Sequence, residues 1–463
     1  MIRLFRVSIP AGSFVLLISE VGLITSAYIL ASYFVLPYDP TVFLLYDDGL
    51  YRILSVTASV ILGLHFQDLY THIRIRSRIA LLQQLSLIMG VAFLIQGLIS
   101  YADRDLRMPL RLMVLGSTIA ICAIFIWRVL YAKYLVSVVG AQRLLFVGGN
   151  VLTDAIAKHL RARPDLGIDV IGYVDDTDLP GTPRVGGKVL GPISALRRIA
   201  TEVAPDRIVV GMSERRNCMP VLELLELRFS GILVEEANTT YESVCMRIST
   251  LELRPSQLVF SGELGPRQGI LFLQSACNFT AALIGSIILL PVMLAVAIGV
   301  KLSSPGPVLY GQTRVGLGGN TFTVYKFRSM HQNAEAATGA VWASKDDPRI
   351  TRFGRFLRKF RFDELPQLFN VLRGDMALVG PRPERPEFVA MLSERIPFYR
   401  QRHCVKPGIT GWAQINHKYG DTIEDSVTKL EYDLYYIKNL SSTLDLYIIF
   451  QTLKTILLTR GAQ

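Results

Sequence analysis

Four apolar runs, at 11–36, 53–69, 79–101 and 110–136, open this chain and leave few folds available to its first third. Each reaches or approaches the ~20 residues a helix needs to cross hydrocarbon. Within lipid the backbone must satisfy its own hydrogen bonds, so a bundle of four transmembrane helices is expected over residues 1–140. Arg3 and Arg6 precede the first run, and Arg74, Arg76 and Arg78 lie between the second and third, whereas Asp39, Asp47 and Asp48 fill the first loop. Positive charge stays on the cytoplasmic side, so both ends of this bundle face the cytoplasm. The loop 103–111 is mixed in sign and decides nothing. A cleaved signal peptide is not expected, because the first run is too long and lacks a small-residue cleavage site.

The 463 residues suggest about three folding units. A formal net charge of +11 raises nucleic acid as a partner. With 51% hydrophobic residues and a mean hydropathy of +0.36, a membrane protein is the better reading and nucleic acid is not expected. The five cysteines are scattered without a C-x-x-C pair, and the six histidines show no zinc spacing, so neither a disulfide framework nor a zinc site is indicated.

Composition changes at Ala141-Gln142-Arg143. A short apolar strand at 144–147 ends in Gly148-Gly149-Asn150, a helical pattern follows at 151–161, and a second strand at 170–174 ends at Asp175-Asp176. Alternation continues through 207–210, 221–227 and 231–235. Residues 141–265 therefore read as a Rossmann-like α/β domain on a parallel sheet. Nucleotide binding at the glycine turn is the tempting function. The turn lacks the full G-x-G-x-x-G fingerprint, which favours a structural or regulatory domain over a redox cofactor site. A glycine-rich linker, 262–269, leads to a third domain, 270–463.

That domain begins with a fifth apolar run, 279–300, long enough to span. Crossing would carry the basic residues after Lys301 across the membrane against the charge bias. Pro291 lies near its middle, where the missing N–H and the ring clash kink a helix. A re-entrant hairpin over 274–302 is expected.

Further on, arginines recur at 349, 352, 355, 358 and 361, with Phe353, Phe356 and Phe360 among them, followed by Asp363-Glu364-Leu365-Pro366. Read as one helix, the spacing of three aligns successive guanidinium groups on one face suited to phosphate. Asp363 and Glu364 then stand about 100° apart, which implies different jobs for the two carboxylates. The arginines alone fit an amphipathic helix on an anionic membrane surface equally well. That reading leaves the carboxylates unexplained, and also Arg382, held between Pro381 and Pro383 in the rigid manner of a positioned ligand.

Several stretches in this last domain carry a resemblance: Lys301-Leu302-Ser303-Ser304-Pro305-Gly306-Pro307, Tyr325-Lys326-Phe327-Arg328-Ser329-Met330, Asp363-Glu364-Leu365-Pro366-Gln367, the run from Gly374 to Pro383, and that from Lys406 to Gln414. From about Gln274 onward the chain resembles the bacterial sugar transferases, monotopic phosphoglycosyl transferases that start glycan assembly on a polyprenyl phosphate. The whole layout is similar to the long polyisoprenyl-phosphate hexose-1-phosphate transferases, in particular those linked to exosortase-type exopolysaccharide systems. The resemblance implies a mainly α transferase domain on a re-entrant membrane helix, facing the cytoplasm from the bacterial inner membrane.

It also implies a mechanism. Asp363 is the nucleophile on the β-phosphate of a UDP-sugar, releasing UMP, and polyprenyl phosphate then takes the sugar-phosphate. Glu364 supports it in acid/base or metal-orienting chemistry, and Mg²⁺ is expected at Asp363. Lys326, Arg358 and Arg382 occupy phosphate-binding positions, with Arg328 and Arg361 as further candidates. Many relatives have Asn-Gly-Arg-Asn after the position of Gln414, whereas this chain has Ile415-Asn416-His417-Lys418, leaving Lys418 as a candidate substitute for the arginine. Relatives usually place Ser before the membrane proline, where this chain has Leu290. Trp412 fits either a core or the nucleotide pocket. Expected partners are the UDP-sugar, polyprenyl phosphate, the membrane and, as a candidate, a second copy in a homodimer. The rival readings are a membrane-anchored Rossmann redox or sensor protein, and a non-catalytic scaffold for polysaccharide enzymes.

Overall fold

The computed structural model describes residues 2–4, 7–9, 11–67, 69–70, 78–103, 106–131, 142–212, 219–250, 268–332, 349–417, 420 and 422–457. Apart from the first few residues, the chain divides into two compact units that change over at Ala237/Asn238.

In the first unit, helices Ala11–Val35, Gly49–Phe66, Arg78–Ala102 and Leu110–Leu130 lie against one another. Ile24, Tyr28, Val56, Val60, Leu85, Leu112 and Ile124 form their shared core. Outward positions are just as apolar, with Ile18, Leu30, Phe34, Leu87, Leu94 and Leu98 exposed. Helices apolar on every side belong in lipid. These helices are pinned together by a buried ion pair, Glu20 Oε1 to Arg128 Nε at 2.6 Å, with Tyr70 Oη donating to Glu20 Oε2 at 2.7 Å. Arg128 Nη1 donates to Leu69 O at 2.8 Å.

The same unit carries a six-stranded sheet ordered Pro183–Arg184, Gly187–Gly191, Ile168–Val174, Gln142–Val147, Arg207–Val210, Leu233–Glu236. All neighbours are parallel except the small 183–184 hairpin. The order reverses beside Gln142–Val147, as in a doubly wound dinucleotide-binding sheet, and the strands and helices expected from sequence fall where the alternation put them.

In the second unit, Gln268–Ser303 is one 36-residue helix with Pro291 inside it. The sequence predicted a re-entrant hairpin kinked at Pro291, and the described backbone is helical across that span. It also starts six residues before the expected span, inside the predicted linker. Both of its ends hold to the same unit. Gln274 Nε2 donates to Tyr436 Oη (2.9 Å) and Asp445 Oδ2 (2.8 Å), while Val300 packs with Phe327 and Leu357. Its outer side, including Phe272, Leu283, Ile287, Ile288, Leu294 and Ile298, is exposed.

An antiparallel pair, Leu309–Val315 with Thr321–Phe327, and a short parallel pair, Ala377–Val379 with Gly408–Thr410, complete the frame around a core of Val379, Leu392, Trp412, Leu434, Tyr435 and Tyr436. Trp412 donates Nε1 to Met246 O at 3.0 Å, which settles its role as core. Helix Ala237–Cys245 and the turn after it, placed by sequence in the middle domain, belong here instead. Tyr241 Oη donates to Glu431 Oε2 at 2.9 Å and Ile248 N to Glu431 O at 3.1 Å. A buried carboxylate needs such partners, and a distant tyrosine is not visible as one in sequence.

Candidate active site

The basic stretch is not one helix. Thr351 caps helix Arg352–Lys359 by accepting from Gly354 N at 2.8 Å, and the helix ends at Phe360. Arg361 adopts left-handed φ of 55°, and Asp363 and Glu364 sit in a separate single 3₁₀ turn, Phe362–Glu364. The expected arginine row is therefore shortened. Arg349 precedes the helix, Arg361 follows it, and only Arg352, Arg355 and Arg358 share it. An unbroken run of large and charged residues with no stop signal disguised the break, since a non-glycine left-handed residue is uncommon.

The reversal at Arg361 folds both carboxylates inward, leaving Asp363 7% and Glu364 9% exposed. Glu364 Oε1 accepts from Lys326 Nζ (3.1 Å) and Arg382 Nη2 (3.0 Å), and Arg361 Nη1 lies 3.5 Å from Oε2. Burial opposes ionisation, but these three cations outweigh it and hold Glu364 well below the ordinary carboxylate range. Asp363 is the reverse. Burial, then the adjacent Glu364, push it up against the pull of Lys326, Arg358 and Arg382, and its carboxylate has no hydrogen-bond partner among the described residues. One carboxylate binds the cations permanently; the other remains available.

Each cation is held from behind. Lys326 lies on strand Thr321–Phe327, which is locked to helix Gln367–Arg373 by Asn370: Oδ1 accepts from Tyr325 N (3.1 Å) and Nδ2 donates to Thr323 O (2.7 Å). Arg358 Nε donates to Ser329 Oγ at 3.0 Å. The helix carrying Arg358 lies so close to the strand end that a side chain at Gly354 would collide with Ser329 O. Arg382 sits in the loop leaving strand Ala377–Val379. Arg328 is elsewhere. It is buried, and its Nη2 donates to Ser304 O (2.6 Å), Ser304 Oγ (3.0 Å) and Val300 O (3.3 Å), capping the end of the long apolar helix. Lys418 lies outside the described residues.

No group of three or more His, Cys, Asp or Glu side chains gathers among the described residues. Mg²⁺ does not require one, since it is commonly bound by one or two carboxylates plus substrate phosphates and water. An unengaged Asp363 fits that donor set.

Two buried residues behind the site were missed. Arg402 and Asp433 form an ion pair at 2.8 Å, and Arg402 Nη2 donates to Arg382 O at 3.0 Å. For Asp433 the signal was present: it falls on the apolar stripe of helix Ile423–Lys438, with Leu430, Leu434 and Ile437, where a charge requires a partner.

Five helices are long and apolar enough to cross a membrane, and the second unit holds two buried carboxylates among cations, an arrangement suited to an anionic ligand. The chain belongs to the bacterial sugar transferase family, whose model matches residues 270–459. It is 51% identical over 325 residues to the UDP-glucose:undecaprenyl-phosphate glucose-1-phosphate transferase of Xanthomonas campestris pv. campestris, covering 68% of this chain and 66% of that protein. It is 48% identical over 222 residues to the UDP-N-acetylgalactosamine-undecaprenyl-phosphate N-acetylgalactosaminephosphotransferase of Aeromonas hydrophila, covering 48% of this chain and 52% of that protein. With the exopolysaccharide production protein PSS of Rhizobium leguminosarum bv. phaseoli it is 43% identical over 196 residues, 41% of this chain and 98% of that protein. The chain thus spans less than two thirds of the first two relatives.

Residues 65–225 match a CoA-binding domain model. In this structure the glycine turn there is closed by the protein's own groups. Its donors are already used: Gly148 N bonds Val174 O (2.8 Å), Gly149 N bonds Asp175 Oδ2 (2.9 Å) and Asn150 N bonds Thr153 Oγ1 (2.9 Å). The end of the Arg184 side chain, paired with Asp175 (3.2 Å) and Asp178 (2.6 Å), lies over Gly149 in the space a side chain there would take. In a dinucleotide fold that missing side chain makes room for pyrophosphate; here it makes room for Arg184.

Proposed function

We propose that this chain transfers a sugar-1-phosphate from a UDP-sugar to polyprenyl (undecaprenyl) phosphate at the cytoplasmic face of the bacterial inner membrane, initiating exopolysaccharide or glycan assembly. The observation that carries the reading is the division of labour between adjacent carboxylates: Glu364 holds Lys326, Arg361 and Arg382, leaving Asp363 buried and unengaged among cations. Family membership and the relatives' names support it.

In this mechanism the diphosphate lies against Lys326, Arg358 and Arg382. An Asp363 carboxylate oxygen attacks the β-phosphorus, and the bond from that phosphorus to the oxygen bridging the α-phosphate breaks. UMP leaves, and a glycosyl-phosphoryl-aspartate remains. A phosphate oxygen of the lipid then attacks the same phosphorus, and Asp363 departs as a carboxylate. Preorganised cations stabilise charge developing on the phosphoryl oxygens. Glu364, held ionised, serves by keeping those cations in place rather than by giving up a proton. Mg²⁺, held by Asp363 with substrate oxygens, would neutralise diphosphate charge.

The long apolar helix supports a re-entrant or surface-lying arrangement. At about 1.5 Å per residue its 36 residues exceed the ~30 Å hydrocarbon thickness. Tethering both ends to one unit leaves no free end to place beyond the far leaflet.

The test is UMP release by the purified chain with Mg²⁺, polyprenyl phosphate and a panel including UDP-glucose and UDP-N-acetylgalactosamine. Release with at least one sugar, lost in Asp363→Asn, is the expected result. Turnover of a nicotinamide cofactor without UMP would favour a redox protein, and neither activity a scaffold.

A further inference from the structure

We infer that Arg402 is a positioning residue that sets Arg382 against Glu364, an assignment that rests on the phosphoryl-transfer reading of the site. Prolines at 381 and 383 fix two φ angles around Arg382, but they also remove two N–H groups. The loop is therefore anchored through its carbonyls, and three in succession are held, one from the turn Tyr399–Cys404 and two from strand Leu309–Val315. Arg382 O accepts from Arg402 Nη2 (3.0 Å), Pro383 O from Arg314 Nη1 (3.0 Å), and Glu384 O from Val315 N (2.9 Å). Arg402 is the buried member, at 6% exposure.

Its surroundings keep it in one pose. Asp433 lies 2.8 Å from Nη2, Tyr399 Oη accepts from Nη1 at 2.6 Å, and the Tyr399 ring lies 5.2 Å from the guanidinium carbon. A planar fork can meet Tyr399, Asp433 and the Arg382 carbonyl together, whereas a lysine ammonium has no such fixed spread. Burying an ion pair is a poor way to gain stability alone. Here it fixes the backbone of the residue whose side chain reaches Glu364 Oε1 at 3.0 Å.

The test is a double-mutant cycle in the full-length chain reconstituted in membrane. Arg402→Lys is expected to lower kcat for UMP release by about 10–100-fold, with KM for the lipid acceptor within about twofold. In an Arg382→Ala background the same change should cost less than about threefold, because the side chain it positions is gone. Equal losses in both backgrounds would overturn the inference and leave Arg402 a general structural residue. If Arg402→Lys fails to fold, Asp433→Asn enters the same cycle. Wild-type protein that releases no UMP would defeat the functional reading instead. Positioning is then decided by melting temperatures of Arg402→Lys, Glu364→Gln and the double variant: coupled losses support it, and additive losses overturn it.

Discussion

Glu364 Oε1 receives Arg382 Nη2 at 3.0 Å and Lys326 Nζ at 3.1 Å on the same oxygen, joining two cations that lie 56 positions apart in sequence through one buried carboxylate. Removing that carboxylate takes from both cations the buried partner they share. Glu364→Gln should therefore scatter them, lowering UMP release by about 10²-fold. It should also lower the melting temperature at neutral pH. Because the folded pKa is depressed, the wild-type advantage is present above the ordinary glutamate value of 4.5 and is lost as pH falls toward the depressed one. Thermal melts of both proteins at neutral and acidic pH check this.

Asp363 should report its environment in the pH profile of the first half-reaction. Burial and the neighbouring Glu364 raise its pKa above the ordinary aspartate value of 3.8, and only the ionised form attacks. The burst of UMP without lipid acceptor should fall as pH drops through that raised value. Removing a cation that pulls Asp363 down, in Arg358→Met, should move the acid limb to higher pH. A limb that does not move would show that Arg358 has no part in lowering Asp363.

Arg328 and Lys326 are two residues apart in one motif, yet they should fail differently. Arg328→Met uncovers the carbonyls of Val300 and Ser304, and should cost about 1–3 kcal/mol of stability while KM for the UDP-sugar stays nearly unchanged. Lys326→Met should raise that KM and lower kcat with a smaller change in melting temperature. Michaelis curves and melts on both variants separate a helix cap from a substrate contact.

Phe353 and Phe356 look equivalent in sequence as rings for the membrane interface. The structure separates them. Phe353 lies against Gly299 in the core of the long helix, whereas Phe356 is 47% exposed beside exposed Arg352, Arg355 and Lys359. Phe356→Ser should weaken use of a long-chain acceptor more than formation of the aspartyl intermediate, since only the second half-reaction needs lipid. Phe353→Ser should slow both by lowering stability. Separate assays of the two half-reactions distinguish these outcomes.

Local periodicity made much of this molecule legible. Runs near 20 apolar residues located the four opening helices, and the alternation of short strands with amphipathic helices gave the doubly wound sheet. The motifs singled out Lys326, Arg358, Arg361, Asp363, Glu364 and Arg382, and the fold gathers them in one place. What sequence did not show were features set by distant partners. Arg361 turns left-handed because inward burial of the next two carboxylates demands it, so a helix assumed from spacing stops early. Arg328 was grouped with the phosphate ligands by its motif, although its side chain serves a helix end 24 positions upstream. Gly149 resembles a cofactor turn in sequence, but Arg184 lies over it, and Arg402 has no local mark beyond its charge.

Covalent carriage of the sugar-phosphate by Asp363, between donor and lipid, is the step on which the whole mechanism depends. It can be trapped by incubating the purified chain with UDP-sugar labelled in the β-phosphate, without lipid acceptor, then quenching and mapping the labelled peptide. The expected result is a burst of UMP approaching one per active site and label on the peptide holding Asp363, discharged when polyprenyl phosphate is added and absent in Asp363→Asn. UMP release that requires the lipid from the start, with no protein-bound label in an otherwise active enzyme, would rule out the aspartyl intermediate.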